Sequence, residues 1–243
     1  MRYGMVIDLS KCTGCGACAI ACKRENATPP GVFWSRVHIY ETGTYPRVKL
    51  RALPTLCMQC DEPACEKACP TGATWVRHGG IVLVDNEQCI GCAYCVWACP
   101  YQSRSLNQGD PQPYNPAYGL TPFEQAGYIQ HADGVIEKCH FCAPRLDQGL
   151  SPACVMTCPS TARTFGDLDD PASEVSRLIA EKGGVGRLEG LGTEPKVFYL
   201  HLLEHLGAEA PEVEITTAKV ETTATDVEST VTDVKTTPTG GNR

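Results

Sequence analysis

The chain has 243 residues, a net charge of -7 and 42% hydrophobic residues, enough for one or two ordinary domains with an apolar core. An acidic balance with no basic stripe excludes nucleic acid as a partner class. Sixteen cysteines would mean disulfides in a small secreted protein, but close C-x-x-C steps in a chain this long suit metal chelation instead.

At the start, MRYGMVIDLS (Met1 to Ser10) has one arginine, no long apolar core and no small-residue cleavage site, so no signal peptide is expected. No apolar run approaches the roughly 20 residues of a membrane-spanning helix. The first cysteine group is Cys12, Cys15, Cys18 and Cys22, spaced C-x2-C-x2-C-x3-C. Lys23 and Arg24 follow it where the later groups have proline, so a helix is expected to run on from Ala17 through both. WSRVHIY (Trp34 to Tyr40) and the stretch from Val48 alternate apolar and polar residues around the turn ETGTYP, which predicts a hairpin. The second group is Cys57, Cys60, Cys65 and Cys69, and the third, with the spacing of the first, is Cys89, Cys92, Cys95 and Cys99. Between them Gly79-Gly80 supplies a turn and Ile81 to Val84 a strand. From Gln102 to Lys138, Pro111, Pro113, Pro116 and Pro122 discourage long helices and central strands, and the segment reads as a partner-contacting insertion loop. The fourth group, Cys139, Cys142, Cys154 and Cys158, opens to C-x2-C-x11-C-x3-C. DPASEVSRLIAEKGG then predicts a helix with Asp170 as N-cap, Pro171 at its first position and a glycine stop. From about Ala208 the chain is rich in Thr, Asp and Glu with no aromatic residue, the composition of a disordered, solvated tail.

Two residues between cysteines let three thiolates converge on one face of a cuboidal cluster, and the x3 step starts a helix that carries the fourth to a neighbouring cluster. Sixteen thiolates in four such runs satisfy four 4Fe-4S clusters with none left over. Zinc takes two pairs and has no use for C-x2-C-x2-C-x3-C. Groups two and three pair through their short connection, and groups one and four pair by elimination. One cluster is then expected on Cys57, Cys60, Cys65 and Cys99, and its neighbour on Cys89, Cys92, Cys95 and Cys69. In the other unit Cys12, Cys15, Cys18 and Cys158 hold one cluster, and Cys139, Cys142, Cys154 and Cys22 the other. The expected fold is α+β: two ferredoxin-like 2x[4Fe-4S] units, one nested within the other, with a hairpin elaboration. Residues 1–56 and 139–206 form the outer unit, 57–105 the inner unit, 106–138 the insertion and 207–243 the tail. Such nesting requires contact between residues near 20 and near 155.

No Gly-rich phosphate loop follows a strand, and TGCGAC echoes a dinucleotide fingerprint only because its cysteines are glycine-spaced. Every cysteine is taken by a cluster, so no catalytic residue is expected. The six histidines, paired with no carboxylate or thiol at a catalytic spacing, read as surface or packing residues, with His140 exposed between two ligands. Lys11, Lys23, Arg24, Lys138 and Arg145 flank the groups and are expected to tune reduction potentials.

The order and spacing of all four groups, with KCHFCAPRLDQGLSPACVMTCPSTARTFGDLDDP (Lys138 to Pro171), resemble the four-cluster iron-sulfur subunit of the molybdopterin oxidoreductase (DMSO reductase) superfamily over roughly Tyr3 to Leu200. Within that family the sequence is most similar to the electron-transfer subunits of polysulfide, thiosulfate, tetrathionate and arsenate reductases. Formate dehydrogenase partners usually add a C-terminal membrane helix, and the nitrate reductase subunit replaces one cysteine with tryptophan; neither departure is visible here. The resemblance implies a non-catalytic relay of single electrons between a large molybdopterin-containing catalytic subunit and a membrane anchor that binds quinone or quinol. It also implies the same nested ligand pairing, and a place on the periplasmic side of the bacterial inner membrane, reached by export with the partner; a cytoplasmic complex is the alternative. The alternative function is a free polyferredoxin serving soluble redox enzymes. The insertion and hairpin favour the subunit, because a diffusing carrier needs little beyond its clusters.

Overall fold

A computed structural model describes residues 1–107 and 112–206. The tail expected from 207 lies outside the described residues, as do four positions of the insertion.

Strand β1 (Tyr3–Asp8) leads through the first cysteine loop into helix α1 (Ala17–Asn26), then β2 (Ser35–Thr42) and β3 (Lys49–Leu56). One-turn helix α2 (Ala64–Lys67), strands β4 (Thr74–Arg77) and β5 (Ile81–Val84), and one-turn helix α3 (Tyr94–Trp97) carry the second and third groups. The insertion is framed by β6 (Arg104–Leu106) and β7 (Ile136–Lys138) and holds α4 (Pro122–Tyr128). The fourth group spans α5 (Ala143–Leu146) and α6 (Ala153–Met156). The chain continues through β8 (Arg163–Asp167), α7 (Glu174–Lys182), β9 (Val185–Gly186), β10 (Val197–Leu200) and α8 (Leu202–Leu206).

Three strand pairs are antiparallel ribbons: β2 with β3, β4 with β5, and β6 with β7. The fourth sheet, in the order β8-β1-β10-β9, has no counterpart in the sequence reading. Its β1 runs parallel to β10 (Met5 opposite Val197, Ile7 opposite Tyr199) and antiparallel to β8 (Met5 opposite Phe165). From Gly4 on, β1 is buried on both faces, so it is a continuous apolar run without the alternation that marks a half-exposed strand. One face, with Met5, Ile7, Val197 and Tyr199, packs on Leu56, Met58, Ile81 and Phe141 among the cysteine loops. The other, with Val6 and Leu200, is covered by Val175 of α7.

Two local expectations change. Helix α7 starts at Glu174 with Ser173 as its cap, the Ser173 hydroxyl accepting from the Ser176 N–H at 3.3 Å. The Asp170 carboxylate instead accepts from the Ala172 N–H at 2.8 Å, a local turn that competes with helix initiation. Within the insertion, Pro122 occupies the first turn of α4, the one helical place where a missing N–H costs nothing. Thr121 and Glu124 close a capping box around it.

Candidate iron-sulfur ligand array

Each C-x-x-C step turns through residues in the left-handed region: Gly14 and Gly16 in the first group, Gln59 in the second, Gly91 and Ala93 in the third, Phe141 and Cys142 in the fourth. Such turns aim successive backbone N–H groups into one concavity, which suits anionic sulfur. The third and fourth cysteines of every group lie four residues apart on or just beyond a helical turn, in α1, α2, α3 and α6. Helix α1 packs on α6, and α2 on α3.

Cys12, Cys15, Cys18 and Cys158 line one small cavity. Cys22, Cys139, Cys142 and Cys154 line another. Cys60 faces Cys57, Cys65 and Cys99, and Cys95 faces Cys69 and Cys89. Cys139 also faces Cys57, which brings the fourth group against the second. Cys15 and Cys92 are exposed, whereas Cys22, Cys57, Cys139, Cys142 and Cys154 are buried. Among the described residues no three His, Cys, Asp or Glu side chains are placed to hold a single metal ion; the thiols stand around cavities, not around a point.

Burial pushes the Cys22 and Cys60 thiols up to about 12 and Cys142 to about 11, with neighbouring sulfurs adding to the shift. Ligation requires thiolates, so this set needs a cationic group among it before it can ionise. Two cysteines run the other way. Burial opposes ionisation at Cys69 as well, but the N–H groups of Thr74, Thr71 and Ala73 and the Thr71 hydroxyl outweigh it and bring the thiol down to about 7. Cys158 is lowered likewise by the Ala162 N–H, which donates to its sulfur at 3.3 Å, and by the Ser160 hydroxyl. Both lie in a Cys-Pro loop whose backbone folds back over the sulfur. Cys22, which has no proline after it, is served differently: α1 runs on to Asn26, whose side-chain N–H donates to the Cys22 sulfur at 3.4 Å.

An all-sulfur donor set at these spacings fits iron-sulfur clusters, and so does a buried cation with unused donors. Arg104 is buried against Cys65, Cys95 and Cys57, yet its Nε and Nη2 have no hydrogen-bond partner. Arg104 and Arg163 escaped the sequence reading, although each follows the last cysteine of its group by the same C-P-x-x-x-R step.

Of the cations named from sequence, only Lys138 is buried. Lys11 and Arg24 are exposed. Lys23 donates to the carbonyls of Pro29 and Val32 and to the Tyr114 hydroxyl, anchoring the insertion. Arg145 pairs with Glu25. Two of the histidines also differ from expectation, His140 in its burial and His131 in its partner. His140 is largely buried, packs edge-on against Trp34 and is pushed down to about 4 by burial. His131 pairs with Glu137 at 2.7 Å, a partner made adjacent by the return of the insertion to β7.

The family model described as "4Fe-4S dicluster domain" matches residues 48–112 and 106–168, and a second model of that description matches 11–73. The arsenate respiratory reductase iron-sulfur subunit ArrB of a Shewanella species is 44% identical, the match covering 82% of this chain and 96% of the relative. A polysulfide reductase polypeptide of Wolinella succinogenes is 36% identical over 81% of this chain and 93% of the relative. A tetrathionate reductase subunit of Salmonella typhimurium is 39% identical over 83% and 73%. The cofactors are 4Fe-4S clusters, and the protein belongs to the iron-sulfur subunit family of the DMSO reductase (molybdopterin oxidoreductase) superfamily.

Proposed function

We propose that the chain is a non-catalytic electron relay holding four 4Fe-4S clusters in two nested dicluster units, with boundaries at 1–56 and 139–206 for the outer unit and 57–105 for the inner. Cys12, Cys15, Cys18 and Cys158 form the first ligand set; Cys22, Cys139, Cys142 and Cys154 the second; Cys57, Cys60, Cys65 and Cys99 the third; Cys69, Cys89, Cys92 and Cys95 the fourth. Each cluster, when bound, takes up and passes on one electron. The chain's own residues hold the clusters, exclude water from the inner ones and aim N–H groups at sulfur.

The observation that carries the relay is the gradient of exposure along these sets. Cys15 of the first and Cys92 of the fourth are open to solvent, while the second set is buried and meets the third through Cys139 and Cys57. A buried second set, a partly buried third, and one exposed cysteine in each of the first and fourth suit delivery at one pole and withdrawal at the other. The names of the relatives support an arsenate or sulfur-compound respiratory reductase; a molybdopterin catalytic subunit at one pole and a quinone-linked membrane subunit at the other are what the family resemblance implies. The complex then faces the periplasm, exported with its catalytic partner.

Native purification under anaerobic conditions tests this reading. Expected are about 16 iron atoms per chain, EPR signals from four interacting clusters, and a large molybdenum-containing chain co-eluting from a periplasmic membrane fraction. A protein that elutes alone with full iron is a free polyferredoxin and overturns the subunit reading; about four zinc per chain without iron overturns the clusters as well.

A further inference from the structure

Three cations are buried in the described part of the chain without a carboxylate partner. Arg163, Lys138 and Arg104 are 4%, 4% and 5% exposed. Among the described residues none of the three enters an ion pair. A buried charge without a counter-charge costs several kcal/mol, and an arginine cannot shed its charge, so something anionic must face Arg104 and Arg163.

What each faces is sulfur from two ligand sets. Arg163 donates through Nη2 to the Cys18 sulfur at 3.4 Å and also lies against Cys154, which belong to the first and second sets. Lys138 donates through Nζ to the carbonyls of Val82 and Cys139, and faces Cys139 of the second set and Cys57 and Cys65 of the third. Arg104 donates through Nη1 to the Thr74 hydroxyl at 3.0 Å and faces Cys65 and Cys57 of the third set and Cys95 of the fourth. Its Nε and Nη2 have no regular hydrogen-bond partner and are left to the Cys65 and Cys95 sulfurs beside them.

Strand register adds an independent sign. Arg104 and Lys138 stand directly opposite each other on β6 and β7. Like charges in that position repel even at a surface, and here both are buried. A protein keeps such a pair where a larger negative charge lies against both.

We propose that Arg163, Lys138 and Arg104 are the counter-charges of the three junctions between successive ligand sets, each setting the potentials of the two clusters that flank it. This rests on the ligand sets proposed above. Reduction adds one electron to a cluster, makes and breaks no bond, and moves no proton on these three groups. A fixed positive charge favours the more negative, reduced cluster. A cation shared by two clusters raises both potentials together, which keeps neighbouring steps of a relay level.

The test is EPR-monitored redox titration, with dithionite as reductant, of the native complex carrying Arg104→Gln or Arg163→Gln beside Arg104→Lys and Arg163→Lys. Each Gln variant is expected to make reduction at least tenfold harder at two clusters, about 59 mV for one electron. The other two clusters should titrate as in the wild type, and the Lys variants should recover most of the loss. Full iron with unchanged potentials, or a uniform shift of all four clusters, overturns the assignment and leaves the relay standing; absence of clusters from the wild type overturns the relay itself. Should a Gln variant fail to hold iron, the unsubstituted protein still decides the matter. With 15N-labelled arginine, pulsed EPR should detect weakly coupled guanidinium nitrogen at the clusters, and its absence overturns the proposal.

Discussion

A β-carbon at Gly91 would stand 2.0 Å from the Gly134 carbonyl oxygen, and its φ of +67° is one that side chains rarely adopt. The cysteine loop and the returning insertion therefore meet backbone to backbone there. Gly72 has a similar φ of +71° but open space around it. Gly91→Ala is expected to lower the thermal midpoint of the cluster-loaded protein clearly more than Gly72→Ala, which bears only the conformational strain of about 1–3 kcal/mol; equal shifts would mean that the close approach does not exist. The crossing cysteines can be tested singly. Cys22→Ala should abolish or alter the same EPR signal as Cys142→Ala, remove about four iron atoms per chain, and spare the signal lost in Cys12→Ala. If Cys22→Ala and Cys12→Ala instead remove one and the same signal, the first group closes its own cluster.

At the scale of elements, the insertion is tied to α1 by a charged histidine. His131 offers Nδ1 to Glu137 Oε1 at 2.7 Å and Nε2 to the Asn26 carbonyl at 2.7 Å, two acceptors that both want an N–H. Burial opposes the charge, but Glu137 and the Asn26 carbonyl overcome it and hold His131 above its ordinary 6.5. A raised histidine stabilises the fold fully below its unfolded value and loses that contribution as pH rises through the folded one. Amides from 127 to 136, corrected for intrinsic exchange, should therefore be better protected at pH 6 than at pH 8, and His131→Gln should flatten the difference. Protection that does not change with pH in the wild type would mean that the pair is not ionised.

For the whole molecule, one fully buried amide joins parts that the chain order separates. Gln59 donates to the Cys139 carbonyl at 2.6 Å and accepts from the Val82 N–H at 2.8 Å, so the second cysteine group, β5 and the fourth group meet at one side chain. In Gln59→Leu the Cys139 carbonyl keeps the Lys138 ammonium at 3.0 Å, but the Val82 N–H is stranded. One buried unsatisfied donor costs about 1–3 kcal/mol. Native-state hydrogen exchange should show β5 opening more easily by that amount, with iron content unchanged; exchange as in the wild type would show that water replaces the amide.

Sequence alone determined the cofactor, because cluster ligands come in short runs whose spacing is dictated by the stereochemistry of a cube. It also determined the β2–β3 ribbon and the run of α1 past Cys22, since alternation and an absent proline are local signals. Tertiary structure alone decided the sheet that joins β1 to β8 and β10, because β1 is buried on both faces and carries no period to read. Beyond Lys138, it alone decided where the cations point: Lys23 beside Cys22 turns away to hold the insertion, while Arg104 and Arg163, each separated from the nearest cysteine in sequence by an ordinary loop, turn inward to sulfur. A charge acts through distance in space, and for these side chains that distance is set by strand register and helix packing.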